Sequence, residues 1–123
     1  MSPPTDEAKR KAIALTRAVV RAAEHLDIPS GLLAVILNVP ESVVVRFQAH
    51  AEILPPDSKS SIRGQLFIQL FHHLNAINNG VDAASQHWLN SPCLELEARP
   101  INVIQTGQGL MRAVEYLTSR QRR

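Results

Sequence analysis

Apolar residues recur near the start of the chain at alternating steps of four and three: Ala8, Ala12, Leu15, Val19, Ala22 and Leu26. That period places them on one stripe of a helix, and Thr5 and Asp6 offer its N-cap. Pro29 and Ser30 interrupt the pattern, with Ser30 placed to cap a short second helix, GLLAVILN, which Pro40 ends. A third short helix follows in ESVVVRFQAH. Its run of Val43, Val44 and Val45 would also suit a strand, but no segment of similar character lies nearby to pair with it.

Beyond a turn at Leu54, Pro55, Pro56 and Asp57, the residues Leu66, Leu70, Leu74 and Ile77, flanked by Phe67 and Phe71, trace a broad apolar face. This predicts a long central helix ended by Asn78, Asn79 and Gly80. Asp82 is placed to cap a short helix through Leu89, and Asn90, Ser91 and Pro92 break the chain again. Pro100 suits the first turn of another short helix, INVIQ. Gly107 and Gly109 precede a last helix carrying Leu110, Val114 and Leu117. The fold expected is all-α: a helical part over residues 1–80, then short C-terminal helices over 81–123.

Composition supports this reading. A chain of 123 residues with 45% hydrophobic and 4% aromatic content and only 5 glycines has the size of one domain and lacks the turn-rich character of an all-β fold. The formal net charge of +2 permits nucleic-acid binding without requiring it. A single cysteine, Cys93, excludes an internal disulfide and a zinc knuckle, and reads as a small buried hydrophobe. No apolar run approaches the roughly 20 residues that span a bilayer, and the N-terminus lacks the core of a signal peptide, so a cytoplasmic protein is expected.

Residues 30–49, SGLLAVILNVPESVVVRFQA, have the spacing of a helix-turn-helix. Small Ala34 sits where two helices cross, Leu37 precedes the turn, Val39 lies in it, and Val44 and Phe47 face inward. The second helix would then expose Glu41, Ser42, Val45, Arg46 and Gln48. Arg46 and Gln48 suit phosphates or base edges, Glu41 would repel phosphate, and Val45 offers at most a contact to a thymine methyl. The structural alternative is a helical hairpin that only packs the core.

Catalysis finds little support. None of His25, His50, His72, His73 and His87 sits in a metal-binding spacing. There is no nucleophile elbow and no glycine-rich phosphate loop, and Glu95 and Glu97 fall in an apparent loop. No cofactor is implied.

The stretch HWLNSPCLELEARP, residues 87–100, carries a tryptophan between two short helices. The expectation is a largely buried Trp88 that pins them, with Leu89 closing one helix, Pro92 following the break, Leu96 buried in the loop and Pro100 opening the next helix. Together with Ala84, Val103, Ile104, Gly109, Val114 and Leu117, this pattern resembles the C-terminal toxin-binding region of Xre/MbcA/ParS-type antitoxins, which place an Xre-like helix-turn-helix in front of it. The resemblance covers roughly residues 20–119.

The resemblance implies an antitoxin that binds a RES-domain toxin, an enzyme consuming NAD by phosphorolysis, hydrolysis or ADP-ribosyl transfer, and blocks its active site. It also implies operator DNA as a second partner, with autoregulation, and a homodimer or a toxin–antitoxin hetero-oligomer. Two positions depart from the family pattern: Cys93 stands where asparagine is usual after the proline, and Glu97 where glycine is usual after the loop leucine. Many members end in a glycine-containing apolar tail, whereas this chain ends TSRQRR.

The toxin contacts expected on this basis are Arg112, Arg120, Gln121, Arg122 and Arg123, which extend from or beyond a last helix whose packed face holds Leu110, Met111, Val114 and Leu117. Arginine suits whatever acidic groups such a toxin presents. A frayed, solvated terminus is the plainer alternative. Two rival functions stand beside the antitoxin reading: a stand-alone repressor whose residues 80–123 serve dimerisation, and a small enzyme using His72 or Cys93.

Overall fold

The computed structural model describes residues 5–121, which form seven helices: α1 (Asp6–His25), α2 (Ser30–Leu37), α3 (Glu41–Gln48), α4 (Lys59–Ile77), α5 (Asp82–Asn90), α6 (Pro100–Val103) and α7 (Gly107–Gln121). Among these residues there is no strand, only an isolated antiparallel bridge between Cys93 and Ala98. The fold is all-α, as the periodicity predicts. No single helix is long and apolar enough to cross a membrane.

Local chemistry sets the helix ends. Thr5 caps α1 by accepting the N–H of Ala8 at 3.1 Å, and Ser58 caps α4 by accepting that of Ser61 at 3.0 Å. The first four helices stop in one way. A residue in the left-handed region follows each, and the next N–H reaches back to a carbonyl five residues earlier: Ile28 to Ala23, Val39 to Ala34, Ala51 to Arg46 and Gly80 to Asn75. The left-handed residues are Asp27, Asn38, His50 and Asn79, with φ of 56°, 59°, 60° and 54°. Asp, Asn and His are the non-glycine residues that tolerate this region best.

Two expected caps belong elsewhere. Ser30 and Asp82 are the first residues of their helices; the N-cap positions are Pro29 and Val81, neither with a side-chain cap bond. Each polar group is engaged by another element instead: the Ser30 hydroxyl donates to Glu41 at 3.0 Å, and the Asp82 carboxylate meets His25 Nδ1 at 2.8 Å. Gly107 and Gly109 likewise lie inside the first turn of α7 rather than before it.

Helix α4 is the axis of the fold, packing against α1, α2, α5 and α7. Phe67, Leu70 and Leu74 on α4 are fully buried, and they share one continuous core with Val19 and Leu26 of α1, Leu33 and Leu37 of α2, Val44 and Phe47 of α3, Leu89 of α5 and Leu110 and Leu117 of α7. Gly64 lets α1 come close: a Cβ there would stand 3.1 Å from Leu54 and 3.3 Å from Val19. Buried Thr16 ties down the connection before α4, since its hydroxyl accepts the Leu54 N–H at 2.9 Å and donates to the Ala12 carbonyl at 2.7 Å. No buried side-chain N or O atom among the described residues lacks a hydrogen-bond partner, as a stable core requires.

Candidate functional site

The first surface is the pair α2 and α3. The two helices meet at 110° across the three residues Asn38, Val39 and Pro40. Ala34, Leu37, Val44 and Phe47 are buried between them and the core, as the spacing predicts. Glu41, Ser42, Val45, Arg46 and Gln48 are all exposed along α3. Two of them are already engaged: Glu41 accepts the Ser30 hydroxyl at 3.0 Å, and Arg46 Nε donates to Glu52 at 2.9 Å. The Arg46 pair is open to solvent and is therefore weak, within about 1 kcal/mol.

The second surface lies at the other end of the chain. Leu89, Leu96 and Pro100 are buried, Pro92 is exposed, and Pro100 is the first residue of α6. Trp88 is partly buried and packed against the core, in keeping with the largely buried indole expected. The next residue, Leu89, points into the core at 0% exposure, which leaves the indole at the core's rim. One partner of the indole is Tyr116 of α7, nearly parallel to it at 9° with ring centroids 6.3 Å apart.

Tyr116 is the residue that sequence reasoning missed. It stands four residues from both Arg112 and Arg120, so the three share one face of α7. The Arg120 guanidinium lies over the phenol ring, 5.9 Å from its centroid. Burial pushes the Tyr116 phenol above its usual pKa, reinforced by Cys93 and Glu95 and partly offset by Arg120. The i, i+4 spacing around a lone tyrosine was the available signal.

The expected tail contacts divide. Arg112 and Arg120 are exposed, and among the described residues neither forms an ion pair with a carboxylate. Gln121 turns back to meet His73 of α4, whose other ring nitrogen lies 3.1 Å from the Thr118 hydroxyl. Arg122 and Arg123 lie outside the described residues. Met111, expected on the packed face of α7, is half exposed at 50%; Ala113 fills the buried position with Leu110, Val114 and Leu117.

Between α5 and α6, residues 93–98 form a small closed loop. Cys93 N–H donates to the Ala98 carbonyl at 3.0 Å, and Glu97 N–H to the Leu94 carbonyl at 3.1 Å. Glu97 has φ 61°, so the glutamate takes the left-handed conformation that a glycine would adopt without cost. Cys93 is buried, with its thiol 3.6 Å from Glu95. No group of three or more His, Cys, Asp or Glu side chains among the described residues is placed to hold a metal ion.

Residues 73–122 match the family described as the antitoxin Xre/MbcA/ParS C-terminal toxin-binding domain. The match begins within α4 and takes in α5, the 93–98 loop, α6 and α7. Among curated proteins, none matches the chain.

Proposed function

We propose that the chain is an antitoxin of the Xre/MbcA/ParS type, on the strength of the toxin-binding domain matched at residues 73–122, and that it neutralises a RES-domain, NAD-consuming toxin by covering the toxin's active site. The observation that carries this reading is the surface built within the matched segment: a partly exposed Trp88 stacked on Tyr116, with Arg120 over the ring. Tryptophan, tyrosine and arginine are the residue types that dominate protein–protein binding energy. Arg112 and Arg120 supply charge for acidic groups on the toxin, as do Arg122 and Arg123 further along the sequence. The role is binding rather than catalysis.

Residues 1–80 serve operator DNA in this proposal, and residues 81–123 serve the toxin. The 110° bend between α2 and α3, with Arg46 and Gln48 exposed on α3, supports a helix-turn-helix, and one such unit per subunit favours a homodimer or a toxin–antitoxin hetero-oligomer that reads two half-sites.

Co-expression with a RES-domain enzyme, sought first in the reading frame next to this chain's, tests the reading. A complex that survives size-exclusion chromatography, together with suppressed NAD turnover, is the expected result. A RES enzyme that elutes alone and keeps its full turnover in the presence of this chain would reject it.

A further inference from the structure

The 93–98 loop has a tip that the fold leaves outside. Leu94 is 89% exposed, while its neighbours Cys93 and Leu96 are buried at 8% and 4%. Other exposed aliphatic residues, such as Ile62 at 54% and Val81 at 53%, keep about half their surface covered. Leu94 gains almost no burial from its own chain. Its position is nonetheless fixed, because the Cys93–Ala98 and Glu97–Leu94 hydrogen bonds close the turn from both sides and buried Leu96 roots it in the core. A side chain held this way loses little further freedom on entering a pocket, which lowers the cost of binding.

The surroundings favour a protein partner. The base of the loop, Cys93 and Glu95, lies beside the Tyr116 phenol, which connects Leu94 to the Trp88–Tyr116–Arg120 surface. All of these residues fall within the segment matched as toxin-binding. Arg112 and Arg120 have no carboxylate partner among the described residues, so a surface complementary to this face would be acidic around an apolar hollow.

We infer that Leu94 is an anchor residue for the toxin, presented by a preformed turn to an apolar pocket on that partner while Arg112 and Arg120 meet acidic groups at the pocket's edge. This inference rests on the proposal that the chain neutralises a RES-domain toxin, and it names where the contact is centred.

The test titrates the full chain against a RES-domain enzyme, with Leu94→Asp and, as a control remote from the loop, Ile62→Asp. Leu94→Asp is expected to weaken the complex by about thirtyfold or more, the loss typical of a binding hot spot, and to restore NAD turnover at matched concentrations. Ile62→Asp is expected to bind as the parent does. Leu94→Asp should keep the parent's thermal midpoint, because its side chain is almost wholly in solvent, and Ile62→Asp, half covered, should lower it only slightly.

If the parent binds and inhibits, and Leu94→Asp does so equally well, the anchor assignment is overturned and the antitoxin reading stands. If the parent itself does not bind the enzyme, the antitoxin reading fails and the anchor with it. If Leu94→Asp dissociates copies of the chain from one another while toxin binding is unchanged, the residue belongs to a self-interface and the assignment is likewise overturned.

Discussion

A Cβ on Gly109 would lie 1.8 Å from the carbonyl oxygen of Val103, and 2.9 Å from the Thr106 hydroxyl. The first turn of α7 is pressed against the end of α6, and only a hydrogen fits between them. The same approach lets Thr106 accept the Gly109 N–H at 3.0 Å, which satisfies a free donor at the start of α7. Gly109→Ala must therefore push two backbones apart, at a cost of about 3 kcal/mol. Gly107→Ala meets only the flexible Arg63 guanidinium at 3.3 Å and should be close to neutral. Urea denaturation of the two variants checks this contrast, and equal midpoints would show that α6 and α7 are not in such close contact.

Much of the fold was legible because its helices announce themselves by period. Ala12, Val19, Ala22 and Leu26 of the first stripe, and Leu70 and Leu74 of the second face, are buried as their spacing requires. The four helix ends at Asp27, Asn38, His50 and Asn79 were less so, since a left-handed residue that is not glycine leaves only a weak compositional trace. Ser30 and Asp82 have the composition of caps, yet long-range partners at Glu41 and His25 claim their side chains. No local rule foresees a contact 57 residues away. Trp88 packs against the core as its size suggests, while helical rotation gives the deepest position to Leu89. The candidate surface was hidden for a related reason, as Trp88 and Tyr116 are 28 residues apart in the chain and meet only once α5 and α7 come together.

Glu97 holds a φ of 61° at the turn that presents Leu94. A side chain in this region is strained, whereas glycine is not, although glycine also adds freedom to the unfolded chain. The strain relieved exceeds the entropy added, so Glu97→Gly should raise stability by about 0.5 to 1 kcal/mol. Thermal and denaturant unfolding measure it, and a destabilised variant would mean that the glutamate side chain makes a contact worth more than the strain.

Tyr116 is the only tyrosine, so its ionisation can be followed by ultraviolet absorbance without interference from a second phenol. Burial, Cys93 and Glu95 raise its pKa in the folded chain. The neutral phenol is the form the fold favours. Its contribution to stability is complete below the ordinary value of about 10 and is lost as pH rises through the higher folded value. The native midpoint should lie above that of the chain unfolded in guanidinium. Emission from Trp88, stacked on the same ring, should change over the native transition. A native midpoint at or below the unfolded one would contradict the placement of the phenol beside Cys93 and Glu95.

Arg46 and Glu52 form an exposed ion pair at 2.9 Å, and the same arginine is the strongest candidate on α3 for contact with DNA. A phosphate or a guanine edge must then compete with Glu52 for the guanidinium. Removing the carboxylate frees the arginine and takes a negative charge away from the approaching backbone. Glu52→Gln should therefore tighten binding to the upstream duplex by about two- to fivefold at low salt, in keeping with the small worth of an exposed pair, and the gain should shrink as salt rises. Arg46→Ala should weaken binding by about 1 to 3 kcal/mol if the side chain reads a base, or reduce the salt dependence if it meets only phosphate. The decisive measurement is the double variant. If Arg46 mediates the effect, Glu52→Gln gains little in the Arg46→Ala background; an undiminished gain would show that Glu52 acts through the general field and that Arg46 does not touch the DNA.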